Sequence, residues 1–299
     1  MSVFRSMKIK KQVQETNEVS SIYDANITIE EGGTGLLIVD PQNDFHPGGS
    51  LAIETADEDA ARIAALIKSN LLSLSHIYVT LDSHQKYHIA HPLFWVNARN
   101  EHPEPFTTIT KKMVETGEWK TKRKEHQAWG LRYVTQLAEK GNFELTIWPE
   151  HCLIGTSGHN VRQVIQDALH EWEEVQGKAV TYVMKGNNSK SEHYSAIKAE
   201  VIVPGDEWNT SLNNVLLNEL KRHMRLLICG QASSHCVNFT VRDIADNWKA
   251  SDLKRLEILQ DAMSPVSGFN DVSAKFFKEM GNKGLKITKT SEIEIKPKA

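Results

Sequence analysis

The chain has 299 residues, 40% hydrophobic and 24% charged, which is globular composition and enough length for one large domain or two small ones. A formal net charge of −3 gives no broad electrostatic case for nucleic acid or an anionic membrane surface. No apolar run approaches a membrane span, and the start, MSVFRSMKIKKQ, lacks the apolar core of a signal peptide, so a cytoplasmic protein is expected.

Residues 1–34 read as a polar N-terminal extension over the main domain, with one weakly alternating segment, Ala25 to Ile29. Gly35 to Asp40, GLLIVD, is a continuous apolar run suited to a strand covered on both faces, and it opens into the loop PQNDFHPGGSLAI. Ala56 to Ser69 has helical spacing, and Ser75 to Leu81 is a second strand ending at Asp82. This alternation predicts a three-layer, doubly wound α/β domain over residues 35–299, with a mainly parallel sheet and helices on both faces.

Residues 92–143 break the rhythm and read as an insertion, a lid or an oligomer contact, because Trp119, Trp129, Leu131 and Tyr133 are available for packing. Its basic run, KKMVETGEWKTKRKEHQ, carries interleaved acids and reads as a solvated face rather than a nucleic-acid patch. Glu144 to Trp148 is a short strand candidate, Val161 to Trp172 a helix, Ala179 to Met184 a strand ending at Lys185, and Glu207 to His223 a helix. In LLICGQASSHCVNFTVRDIADNW a strand, Leu226 to Cys229, meets a turn at Gly230 and a helix whose first turn holds Cys236. A strand at Leu256 to Gln260, a helix at Val272 to Met280 and a strand at Leu285 to Thr288 complete the chain, with no internal repeat.

Ligands of an open parallel sheet bind beyond the carboxyl ends of its strands. Asp40, Asp82, Trp148, Lys185 and the Gly230–Cys236 turn all follow predicted strands, so they are expected on one side of the sheet. A thiol in the first turn of a helix is favoured as thiolate by the helix dipole, and the free N–H groups there suit an oxyanion. A carboxylate that takes the thiol proton, an ammonium that lowers the thiol pKa and a thiolate that attacks a carbonyl make a coherent set in Asp40, Lys185 and Cys236. Asp82, His84, His88 and His151 form a second set, three imidazoles and a carboxylate, that suits zinc first, with iron and manganese as alternatives. His91 and His102 read as satisfied by backbone and water, His91 being a reserve ligand, and Cys152 and Cys229 as packing residues. Three scattered cysteines make neither a disulfide framework nor a closed CxxC site.

The blocks VDPQNDFHPGGSLAI, LDSHQKYH, WPEHCLIGTSG, VMKGNN with EHYSAI, and CGQASSHCVNFTVRDIA resemble, in order over residues 35 to 265, the nicotinamidase/pyrazinamidase branch of the isochorismatase-like cysteine hydrolases. The Asp-x-His-x3-His and Trp-Pro-x-His-Cys blocks carry the resemblance to its metal-containing members. The resemblance implies Cys236 as nucleophile, Asp40 as general base and then acid, and Lys185 as the third member of a triad. It implies an oxyanion site at the N–H groups of Ala232 and Cys236 with a cis Gln231–Ala232 peptide, and Phe45 and Trp148 flanking an aromatic ring. One divalent metal on Asp82, His84, His88 and His151 would leave an open position for the ring nitrogen of a nicotinamide hydrolysed to the acid and ammonia through a thioester. A homo-oligomer acting on a small-molecule amide, without nucleic acid or membrane, is expected.

The chain departs from the family pattern at Ser83 and His91, where aromatics are common, at Gln231, Ser233 and Ser234 before the nucleophile, and in the length of residues 92–143. Two other functions compete: a cysteine hydrolase of another small amide or carbamoyl compound, and a non-catalytic scaffold of the same fold.

Overall fold

A computed structural model describes residues 32–141 and 143–296; the expected extension, apart from residues 32–34, lies outside the described residues. Six strands form one sheet: β1 (Thr34–Val39), β2 (Leu74–Asp82), β3 (Thr181–Lys185), β4 (Arg225–Gly230), β5 (Leu256–Leu259) and β6 (Lys286–Thr288). Their order is β6-β5-β4-β1-β2-β3, and every pairing between them is parallel. The expected architecture is borne out.

The side chains of β1 explain the layers. Leu36 and Ile38 join a core with Ile63 and Ile67 of helix α1 (Ala56–Ser69) and with residues of a later helix, Leu169 and Trp172. Leu37 and Val39, on the other face by the two-residue period, join Val237, Val241, Ile244 and Phe276. Helix α2 is Gln127–Lys140, α3 Gln163–Gln176, α4 Asn214–Lys221, α5 Cys236–Asn247 and α6 Asn270–Asn282. α1 and α3 therefore cover one face of the sheet, while α5 and α6 cover the other.

Leaving β1, the chain winds outward through β2 and β3, then returns to the other side of β1 as β4. The reversal opens a crevice between β1 and β4, the place where a doubly wound sheet binds ligands.

Two sequence expectations are corrected. Glu144 to Trp148 yields only Leu145–Thr146, which pairs antiparallel with Thr108–Ile109 outside the main sheet, so Trp148 reaches the site from a loop. The Glu207 to His223 helix divides into Glu207–Thr210 and α4, because Asn213 caps the second piece by accepting from the Leu216 N–H at 3.0 Å. In residues 92–143, Tyr133 and Trp95 are fully buried, Trp119, Trp129 and Leu131 pack partly buried on the main core, and Lys120, Lys122, Arg123 and Lys124 are exposed. Among the described residues no helix is long and apolar enough to cross a membrane.

Candidate active site

Asp40 leaves β1 with φ at +45°, and its N–H reaches the Thr80 carbonyl at 3.1 Å and hydroxyl at 3.0 Å. Its Oδ1 accepts from that hydroxyl at 2.5 Å, and its Oδ2 lies 2.8 Å from Lys185 Nζ. Lys185 ends β3 beside Asp82 of β2, so its ammonium also meets Asp82 Oδ1 at 3.1 Å, the Cys236 thiol at 3.5 Å and the His193 carbonyl at 2.9 Å. All these side chains are buried.

Cys236 is the first residue of α5, reached through a turn that only glycine can open. At Gly230, φ is +112° and an added Cβ would stand 2.0 Å from the Val39 carbonyl oxygen. That contact lets the nucleophile's turn press against the strand that ends in Asp40. The Gln231–Ala232 peptide is cis, at the position the resemblance implied.

Charge in this pocket differs from the simple expectation of a thiolate. Burial pushes the Cys236 thiol well up, and Asp40 and Asp82 add to that shift against the opposing Lys185. Burial also raises the Asp40 carboxyl, with Lys185 opposing. Burial alone would lower the Lys185 ammonium, but Asp40 and Asp82 hold it well above its ordinary range. Burial thus favours the thiol over the thiolate, with the Asp40 carboxyl group and the Lys185 ammonium both beside it.

The second cluster begins at the end of β2. Asp82 Oδ1 lies 3.6 Å from His84 Nε2, and Asp82 Oδ2 lies 3.4 Å from His151 Nε2. Ring centroids of His84 stand 4.4 Å from His88, 4.9 Å from His91 and 4.6 Å from His151. Donor atoms of Asp82, His84 and His151 lie within 4.8 Å of one another, as do those of His84, His88 and His91. Such separations suit ligands about 2 Å from a shared ion.

Two further observations test the fit of a divalent metal. Neither ring nitrogen of His84 or His91 has a hydrogen-bond partner among the described residues, although both residues are fully buried. Gly186, φ +78°, leaves the cluster open on one side: a Cβ there would meet Asp82 Oδ1 at 2.7 Å and His84 Nε2 at 3.2 Å. Orphaned buried imidazoles and a space kept free of side chain suit a cation.

His91 is therefore corrected. It is not satisfied by backbone; it stands inside the cluster. His88 is the better satisfied of the two, its Nε2 donating to the Ser191 carbonyl at 3.2 Å and its Nδ1 accepting from the Ala90 N–H at 3.3 Å. His102 meets its expectation, donating from Nδ1 to the Trp95 carbonyl at 2.7 Å.

One cavity is lined by Asp82 and His151 of the second cluster, by Glu192, and by Ala232 and Cys236 of the nucleophile's turn. Phe45 and Trp148 both line it, along with Tyr194 and His235, which the sequence reasoning did not single out. Trp148 is held by its Nε1 donating to the Tyr194 hydroxyl at 3.0 Å. Burial lowers His235 to about 4, so its ring is a neutral wall at neutral pH. Gln231, Ser233 and Ser234 serve the scaffold instead: Gln231 bonds Asp59 at 2.9 Å, Ser233 accepts from Ser273 at 2.8 Å, and Ser234 accepts from the Val266 N–H at 3.1 Å.

The PQND stretch that follows Asp40 also shapes the site. Gln42 accepts from the Asp82 N–H and donates to the Asp82 carbonyl, both at 2.7 Å, so it grips that peptide from two sides. Asp44 accepts from the Cys152 N–H at 2.6 Å and so fixes the residue after His151.

No family model matches the sequence. A curated relative, the nicotinamidase of Escherichia coli strain K12, is 24% identical over 263 residues, 87% of this chain and 96% of that protein. Among solved structures, the yeast nicotinamidase superposes with a TM-score of 0.59 at 24% identity, covering 85% of this chain and 99% of that one. The chain has the nicotinamidase fold. A nicotinamidase-fold pyrazinamidase of Pyrococcus horikoshii, solved in complex with zinc, is similar at a TM-score of 0.51 and 19% identity, over 86% of this chain and 98% of that one. The family resemblance carried by the five motif blocks is borne out.

Proposed function

We propose that the chain is a cysteine-dependent amidohydrolase that converts nicotinamide, or a close aromatic amide, and water to the acid and ammonia. One observation carries this reading: Asp40, Lys185 and Cys236 are in contact, and the cavity that Cys236 lines is lined also by Asp82 and His151 of a buried carboxylate–imidazole cluster. The nicotinamidases similar in sequence and fold support the substrate class.

The chemistry follows from the neighbours of the thiol. Asp40 takes the Cys236 proton as sulfur attacks the amide carbon, and the backbone N–H groups of Ala232 and Cys236 receive the charge on the carbonyl oxygen. Asp40 returns the proton to the amide nitrogen, the C–N bond breaks, and ammonia leaves a thioester. Asp40 then deprotonates a water that attacks the thioester, releasing the acid and restoring the thiol. Lys185 stays charged throughout and keeps the carboxylate in reach of sulfur. Phe45 and Trp148 flank the ring.

Asp82, His84 and His151, with His91 and His88, would hold one divalent ion, zinc first and iron or manganese as alternatives. When bound, it supplies an open position for a ring nitrogen. A homo-oligomer and a cytoplasmic location belong to the same proposal.

Ammonia release from nicotinamide and pyrazinamide, with metal content measured on the same sample, tests the reading. Turnover abolished by Cys236→Ala is expected; a metal-loaded protein that turns over neither amide sinks it. Turnover of other amides by a protein without metal, unaffected by His84→Ala, favours the second reading, a metal-free hydrolase of another small amide or carbamoyl compound.

A further inference from the structure

The loop after β3 touches every part of the site. Its His193 carbonyl accepts from Lys185 at 2.9 Å, its Ser191 carbonyl accepts from His88 at 3.2 Å, and its Tyr194 hydroxyl accepts from Trp148 at 3.0 Å. Glu192 lies in the middle of that loop, 3% exposed. Its Oε1 accepts from the His193 N–H at 2.8 Å and stands 3.4 Å from His84 Nε2. Its Oε2 is buried with no hydrogen-bond partner among the described residues, and the side chain lines the cavity.

Glu192 is itself held from outside the main sheet. Its N–H donates to the Tyr133 hydroxyl at 3.1 Å, and one turn earlier on α2 the Trp129 Nε1 donates to the Lys190 carbonyl at 2.8 Å. Tyr133 is fully buried, and its helix belongs to the 92–143 segment that the family motifs do not cover.

Charge counting gives these contacts a purpose. The interconnected buried groups Asp40, Asp82 and Glu192 carry three negative charges, and Lys185 carries one positive charge. A divalent ion brings the positive total to three, so the site is neutral with Glu192 ionised and the Cys236 thiol protonated. Without Glu192, the bound site keeps an uncompensated buried charge, which is costly in a low-dielectric interior.

We propose that Glu192 is the second carboxylate of the metal-binding end, after Asp82, balancing the ion's second charge, and that Tyr133 is the positioning residue that holds it. This rests on the reading that a divalent ion binds at the Asp82–His84 cluster. Zinc titration of the purified full chain against a chromophoric chelator measures affinity without substrate. Glu192→Gln, which keeps the shape and the acceptor for the His193 N–H, is expected to weaken zinc binding about ten- to hundredfold. Tyr133→Phe is expected to weaken it about three- to tenfold, and that effect should vanish in the Glu192→Gln background, which a merely structural tyrosine would not do. A wild-type chain that binds no zinc removes the metal reading itself. A wild-type chain that binds zinc while Glu192→Gln binds equally well overturns this inference, and full additivity of the two substitutions overturns the role of Tyr133.

Discussion

Replacing Asp40 by Asn should move two properties of Cys236 in opposite directions. Donor atoms of Asp40 and Cys236 lie within 4.8 Å of each other, and Asp40 is one of the groups that push the thiol up. Two unit charges at that distance interact by about 3 kcal/mol at an effective dielectric of about 20. Removing the carboxylate charge relieves a thiolate of that repulsion, while Lys185 keeps its charge through Asp82 at 3.1 Å. The thiolate fraction at neutral pH should therefore rise on the order of a hundredfold, since each 1.4 kcal/mol is about a factor of ten. Amide hydrolysis should fall about a hundred- to ten-thousandfold, because no group remains to carry the proton to the leaving nitrogen. Iodoacetamide labelling at pH 7, read by peptide mass against the fully buried Cys152 and Cys229, measures the first effect; ammonia release measures the second. Labelling of Cys236 that slows or stays level in Asp40→Asn, or hydrolysis kept within about tenfold, refutes the reasoning.

Gly186→Ala places a methyl 2.7 Å from Asp82 Oδ1 at a φ of +78°, so about 1–2 kcal/mol of stability should be lost along with most zinc affinity. Thermal unfolding and zinc titration check both halves. His91→Asn should weaken zinc binding more than His88→Asn, because the His91 nitrogens are orphaned whereas His88 has backbone partners; equal effects count against this assignment. Burial raises the Glu200 carboxyl from 4.5 to about 7. The folded chain thus keeps a proton that the unfolded chain has lost, and stability falls as pH rises from about 4.5 through 7, on the order of 3 kcal/mol in all. Glu200→Gln should raise Tm at pH 8 and leave it near wild type at pH 4; calorimetry showing the same difference at both pH values contradicts this.

The sheet was legible because its strands are continuous apolar runs ended by polar residues, and Asp40, Asp82 and Lys185 stand directly at those ends. Local chemistry misled where tertiary contacts decide. Glu144 to Trp148 looks like a strand, yet the backbone of Ile147 and Trp148 donates to Thr107 and Ala90 rather than to the sheet. His91, read from sequence as a reserve ligand only, lies three positions after His88, a spacing that predicts nothing until the loop is folded. Glu192 lay inside the quoted EHYSAI block, but sequence gives no sign that its carboxylate turns toward His84. The charge state of Cys236 depends on summed burial and two carboxylates brought from different strands, which no linear motif records.

Gln42's grip on both sides of the Asp82 peptide makes the site a caliper. One jaw is the nucleophile's turn, pressed on Val39 through Gly230; the other is Asp82, tied to the loop that leaves the same strand. Main chain at Gly230 and the buried amide of Gln42 together set the gap between the jaws. A ligand is consequently gauged by the span from its carboxamide carbon to its ring nitrogen. Picolinamide and isonicotinamide have the same atoms as nicotinamide with that span shortened or lengthened, and both should turn over with a much lower kcat/KM.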